Sequence, residues 1–307
     1  MLEPTTLVAE PKPAKHVSRA EHFFELSLLS REILQSGLVR KPSGASGGPL
    51  YDWLMTLPGD VQARWVTALE RRMATFRNSA CASDVHIDVA NDLADTDSPR
   101  DCACGEPNKS PREALSTGSF SAVRELQSSP MARGENCRLA LESRLGGLVQ
   151  VASSVIVIDG YLLKDAARAE ARRAGSSGLR KFGELCVSGG VPSVEFITCA
   201  SSDRPQQAEV DSALADAVKF AGFSSANSLH VAVTLVGSQG RQEMHDRFIG
   251  FSWPTAGRLS VTLGKGIGQF DGESARATYA IARQADSTVD NLVRRLRNAT
   301  VARVTRG

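Results

Sequence analysis

Three apolar runs, SVIVI at 154–158, SVEFITC at 193–199 and LHVAVTLV at 229–236, alternate with helical segments, and that alternation constrains the fold most. Each run is rich in β-branched residues, too short for a buried helix, and bounded by Gly, Pro, Ser or Asp. Residues 164–174 and 178–186 fill the first interval with helical patterning, and residues 206–221 fill the second. A strand, a crossover helix and a second strand place parallel neighbours in one sheet. Two more runs, 244–251 and 259–263, follow within reach of a hairpin and add an antiparallel pair. A helix at 139–151 leads in. A last helix at 286–301 carries the stripe Val289, Leu292, Val293 and Leu296. The expected class is α/β, a mixed-sheet sandwich over residues 138–307, with no repeat of solenoid period.

The chain of 307 residues has room for more than one domain. Residues 1–17, rich in Pro, Lys and Glu, read as a disordered leader. Ser18 and Glu21 make a capping box ahead of the stripe Phe23, Phe24, Leu26, Leu28, Leu29, Ile33 and Leu34. In residues 60–77, Trp65, Leu69, Met73 and Phe76 recur at helical spacing. Together these predict a small all-helical N-terminal domain over 18–77, whose stripes serve either its own core or a protein partner. Residues 78–137, rich in Ser, Asp, Asn, Pro and Gly, read as a long loop or linker.

Composition of 42% hydrophobic and 23% charged residues fits an ordinary globular protein, and a net charge of +2 excludes a polycation. Basic charge gathers at the end, where Arg294, Arg295, Arg297, Arg303 and Arg306 meet a single acid from Asp290 onward. Such a tail faces nucleic acid or anionic lipid, or is a solvated helix face. No apolar run approaches the roughly 20 residues of a membrane-spanning helix, and the N-terminus lacks a signal-peptide core. The expected location is cytoplasmic. Six cysteines without framework spacing read as reduced thiols. Cys81, Cys102, Cys104 and His86 lack the paired spacing of a zinc site, so no metal and no cofactor is expected.

The chemistry concentrates in EMHDRFIGFSWPTAGRLSVTLGKGIGQF, residues 243–270. His245 opens an apolar run, and Arg247 follows two residues on, which in a regular strand puts both on one face. A neutral imidazole can attack phosphorus, and a guanidinium can hold the phosphate. The next run ends in Gly264-Lys265-Gly266-Ile267-Gly268, where Lys265 can neutralise developing charge and the Gly264, Gly266 and Gly268 amides can donate. Asp159 and Tyr161 end the first strand, and with Glu273 they are candidate cleft-lining residues. Competing readings stay open. His245 also fits a strand histidine bonded to a carbonyl, the glycines a plain turn, and Asp159 a helix cap. His230 reads as a structural strand histidine.

The segment HDRFI…VTLGKGIGQF resembles a half-motif of the phospholipase D-like phosphodiesterase superfamily. It is most similar to the His-Asp-Arg type found at the C-terminus of eukaryotic MIT-domain proteins and in prokaryotic phage-defence and mobile-element proteins. VIVIDGYLL is similar to the Asp-x-Tyr strand that opens such domains. The chain departs from the superfamily pattern in three places: Arg247 stands for its lysine, Ser252 for its aspartate, and Gly264-Lys265-Gly266-Ile267 for Gly-Ser-x-Asn. The resemblance implies a metal-independent phosphodiesterase or nuclease with His245, Arg247 and Lys265 as catalytic residues. It also allows a phosphate-binding module that does not cleave, acting on nucleic acid or a lipid headgroup. Hydrolysis needs two histidines and the chain has one such motif, so an enzyme of this type would be a homodimer.

Overall fold

In the computed structural model the described residues are 4–8, 24, 26–28, 30–31, 38–40, 54–55, 57–74, 85–88, 130–172, 177–225, 228–253, 258–284 and 286–306. They belong to two compact units, Met1–Glu125 with Pro254–Gly257, and Leu126–Trp253 with Arg258–Gly307.

In the first unit, β1 (Pro4–Val8), β2 (Leu38–Arg40), β3 (Met73–Ala74) and β4 (Val85–Asp88) form a parallel sheet in the order β3-β2-β1-β4. Helix α1 (Gly59–Arg72) opens with Asp60 against its N-terminal dipole and buries Val61, Trp65, Ala68 and Leu69. The Trp65 indole N–H donates to the Leu26 carbonyl at 3.0 Å, which satisfies a polar atom inside an apolar cluster. Trp65 and Leu69 lie buried on one helix as their spacing implies, whereas Met73 falls in β3, Phe24 is exposed, and Phe23, Leu29, Ile33, Leu34 and Phe76 lie outside the described residues. An all-helical domain is not what the described part shows. β1 lies where composition suggests a leader and β4 where it suggests a linker. Both strands are short and take their partners from segments far along the chain, so no local alternation announces them.

The second unit is mixed α/β around a seven-stranded mixed sheet, ordered β10-β9-β8-β5-β6-β7-β11. Its strands are β5 (Ser154–Ile158), β6 (Ser193–Cys199), β7 (His230–Val236), β8 (Phe248–Ser252), β9 (Arg258–Leu263), β10 (Ile281–Gln284) and β11 (Thr300–Arg306). β5, β6 and β7 are parallel, and β8, β9, β10 and β11 each join antiparallel. The helices are α2 (Cys137–Val151), α3 (Leu162–Arg172), α4 (Gly178–Ser188), α5 (Gln207–Phe220), α6 (Ser238–Glu243) and α7 (Asp286–Asn298). Side chains start two of them: Asn136 accepts from the Leu139 amide and Ser177 from the Arg180 amide.

The crossovers β5→β6 and β6→β7 run the same way, so the rule of right-handed connections puts α3, α4 and α5 on one face of the sheet. α7 covers the other face, where Val289, Leu292 and Leu296 pack on Ile158, Ile197, Val236 and Phe248. Two features depart from the sequence reading. The last helix stops at Asn298, and Thr300–Arg306 becomes β11 on the edge of β7. The expected strand at 244–251 begins only at Phe248, behind the short helix α6. Met244 and Phe248 both enter the core under α7, so the residues between them turn outward in a bend.

Candidate functional site

The chain runs outward from β5 through β6 to β7 and then returns to the opposite side of β5 as β8. That reversal makes the C-terminal end of β5 a topological switch point, the usual place for a ligand in an open α/β sheet. β8 is antiparallel to β5, with Ile158 opposite Phe248, so the end of β5 and the start of β8 share one edge. The end of β9 arrives at the same edge, where the Leu263 amide donates to the Arg247 carbonyl at 2.7 Å. Asp159, Arg247 and the 264–268 loop are thus brought together from three segments distant in sequence.

Asp159 is 2% exposed and organises the edge. Its Oδ1 accepts from the Tyr161 amide at 3.0 Å and lies 3.5 Å from Arg247 Nε. The Ile267 amide also donates to its carboxylate. Burial pushes the carboxyl above the usual aspartate range, outweighing the two amides and Arg247, which pull it down. Its carbonyl accepts from the Leu162 amide, so Asp159 also starts α3 in the role of a cap. The Arg247 side chain is 20% exposed, and its guanidinium carbon sits 5.8 Å from the centroid of the Tyr161 ring, itself on a residue 51% exposed.

The glycine loop is a rigid part of this arrangement. Gly266 has φ +68°, and a Cβ built there would lie 1.9 Å from Asp159 Oδ2 and 2.6 Å from Arg247 Cδ. Only glycine lets the loop backbone touch the ion pair. Behind it, Gly266–Phe270 forms a buried 3-10 turn held from α4. Lys181 Nζ donates to the carbonyls of Phe270 at 2.9 Å and Gly272 at 2.7 Å. The Gly178 amide donates to Asp271 at 2.8 Å, and a Cβ at Gly178 would stand 2.0 Å from the Ile267 carbonyl oxygen. Gly264 donates to the Ala280 carbonyl, while Gly268 is buried and its carbonyl accepts from the Asp271 amide. Lys265 projects from this frame, exposed, with Nζ 5.6 Å from the Tyr279 ring centroid.

His245 stands in the exposed bend before β8, and neither it nor Asp246 bonds to a described residue. Strand alternation therefore does not set the relation of His245 to Arg247. Glu243, a potential partner for the imidazole, is instead 3.0 Å from Arg295. Glu273 lies past the turn, where its carbonyl accepts from the Cys137 amide and its side chain borders a cavity of about 340 Å³ with Arg172 and Arg276. His230 begins β7 at the opposite edge of the sheet. Cys81, Cys102 and Cys104 lie outside the described residues, and no group of metal-ligating side chains occurs among those described.

Next to Tyr161 a second hollow of about 400 Å³ opens at the ends of β6 and β7, lined by Lys164, Cys199, Glu209 and Arg241. Arg241 donates to the Ala200 carbonyl at 2.7 Å and to the Cys199 thiol. Burial nevertheless raises the Cys199 thiol above its ordinary range, which keeps it protonated and a poor nucleophile. Glu209 is committed to the Ser201 amide and hydroxyl at 2.7 and 2.6 Å. Sequence reasoning did not single out this cluster, although Cys199 and Ser201 follow directly on an apolar run and that position was a usable signal. No helix among the described residues is long and apolar enough to cross a membrane. No protein-family model matches the chain, and no curated protein is similar to it.

Proposed function

We propose that the second unit is a phospholipase D-like domain whose β5–β8–β9 edge binds a phosphodiester, that of a nucleic acid, without hydrolysing it. The observation that carries this reading is the pair of cations at one edge, Arg247 fixed by Asp159 and Lys265 projecting from a rigid loop. Asp159 pairs with Arg247, whereas Lys265 has Asp271 in its electrostatic surroundings but makes no ion pair among the described residues and stays exposed to meet an anion. The half-exposed Tyr161 ring stands beside Arg247. An anionic backbone with an unstacked base suits that combination. The family reading is supported by the antiparallel pair β8 and β9, of which β8 lies next to the strand that is followed by Asp159-Gly160-Tyr161. By the same resemblance, the biological setting we infer is prokaryotic phage defence or a mobile element.

Binding is favoured over cleavage by the state of His245. A nucleophilic imidazole needs a partner that orients it, and none of the described residues bonds to this ring. Hydrolysis is the second reading, and it requires a homodimer that brings two copies of His245 to one phosphate.

Fluorescence anisotropy with a labelled single-stranded oligonucleotide tests both. Lys265→Ala should weaken binding and lower the dependence of log affinity on log salt by about one unit, while Asp246→Ala leaves both unchanged. Binding that is indifferent to salt and to Lys265 would refute the site. Cleavage that survives EDTA and vanishes in His245→Ala would establish the nuclease instead.

A further inference from the structure

On the α7 face of the sheet, at the end away from Asp159, the covering layer is incomplete among the described residues. α7 seals the half over Ile158 and Phe248, and beyond it a groove of about 600 Å³ runs between the helix and strands β5, β6, β8 and β9. The volume is that of a small-molecule site. A sheet face shaped for helix packing is apolar. This floor is hydroxylic instead, with Ser154, Ser193, Ser252 and Ser260 all lining the groove. Register sets Ser154 opposite Ser252, and places Ser260 opposite Gly250, one pleat further along. None of the four hydroxyls bonds to a described residue. Gly250 keeps the floor low, since a Cβ there would press on Ile156 Cγ2 at 2.8 Å.

Three arginines, Arg258, Arg294 and Arg297, rim the groove against two carboxylates. Arg258 pairs with Asp290 in a half-exposed bridge. Arg297 makes only a long contact of 3.5 Å to Glu195, which is also held by Thr234 Oγ1 at 2.8 Å and by Arg303 at 3.6 Å. Arg294 bonds to the neutral Asn291 side chain at 2.9 Å and has no acidic partner among the described residues. One guanidinium is therefore left for an anion. The one aromatic residue on the lining, Phe251, is fully buried, so the groove offers no ring on which a base could stack.

We propose that this groove binds a sugar monophosphate, its phosphoryl group at Arg294 and its hydroxyls on the serine floor. An anion with several hydroxyls answers both the spare cation and the unpartnered hydroxyls, and a nucleotide would leave its base without a platform. The site is separate from the phosphodiester edge, at the opposite ends of the strands, and does not depend on it.

Isothermal titration of the full chain with ribose 5-phosphate and glucose 6-phosphate, against inorganic phosphate and free ribose, is the test. At least one sugar phosphate should bind about tenfold or more tightly than either fragment. Arg294→Ala, on an exposed position, and Ser260→Ala, which removes one oxygen, should each weaken it, with unfolding midpoints confirming that both variants fold. Lys265→Ala should leave it unchanged. Three results overturn the proposal: no binding of either sugar phosphate at millimolar concentration, equal affinity for inorganic phosphate, or a loss in Lys265→Ala that matches the loss in Arg294→Ala.

Discussion

Gly266→Ala tests the geometry of the Asp159–Arg247 edge directly. The substitution adds one methyl group at φ +68°, where an L-residue costs about 1–2 kcal/mol. The methyl also lands 1.9 Å from Asp159 Oδ2. Arg247 Cδ, at 2.6 Å, belongs to a long and partly exposed side chain that can shift. The Asp159 carboxylate cannot, being buried and fixed by the Tyr161 amide and Arg247. Overpacking of this kind costs a further 1–3 kcal/mol or so, for a total of about 2–5 kcal/mol. A double-mutant cycle separates the two parts. In an Asp159→Ala background the obstacle is gone, and Gly266→Ala should cost only the backbone part, about 1–2 kcal/mol. Urea unfolding of all four proteins reads the cycle, provided the slope with denaturant stays constant. Equal costs of Gly266→Ala in the two backgrounds, or a cost below about 0.5 kcal/mol in the wild type, would refute a loop that rests on the Asp159–Arg247 pair.

Two further outcomes follow from the same edge. Because burial holds Asp159 above its ordinary range, the folded chain binds that proton more tightly than the unfolded one. The stability it adds is complete below the unfolded value and declines as pH rises through the folded one. Asp159→Asn removes this decline, so the variant should gain on wild type in urea unfolding as pH rises above the ordinary aspartate value of about 4; a gap that stays constant, or moves against the variant, contradicts the burial argument. Lys181→Met strips the Phe270 and Gly272 carbonyls of a buried cationic donor. It should cost about 2–4 kcal/mol and speed amide exchange across 264–272, and unchanged exchange there would mean that Lys181 does not hold the loop.

The centre of the fold was legible because its strands are short runs rich in β-branched residues and bounded by turn-forming residues. SVIVI and SVEFITC need no partner to be recognised, and their ends fall at Ile158 and Cys199 as the pattern implies. β11 was not legible. TVARVTR follows the α7 stripe without a glycine or proline to break it, and its strand form is gained by pairing with the free edge of β7. The bend at His245 was hidden for a related reason. MHDRFIGF alternates well enough for a strand, and only the burial of Met244 beneath α7 turns the next three residues out. Asp159, Arg247, Lys265 and the glycines were each recognisable as chemistry-bearing types. The ion pair that spends part of Arg247 on Asp159 was not, since it joins the ends of two strands that nothing local connects. The serine floor was equally hidden, because single serines at strand positions carry no signal until register sets them side by side.

The strand order has a kinetic consequence. β5 finds β6 through one crossover, but its other neighbour, β8, lies about 90 residues downstream. Pairings of such long range raise the contact order and slow folding. During synthesis, one side of SVIVI remains an open, β-branched, uncharged edge until the chain through Ser252 has emerged. Such an edge is an aggregation hazard for as long as it is bare. Refolding yield should therefore fall as protein concentration rises, and a peptide copying β8 should compete for the vacant side of β5. Asp159 and Arg247 meet only when that pairing closes, so the candidate edge matures with a long-range contact rather than with the helices around it.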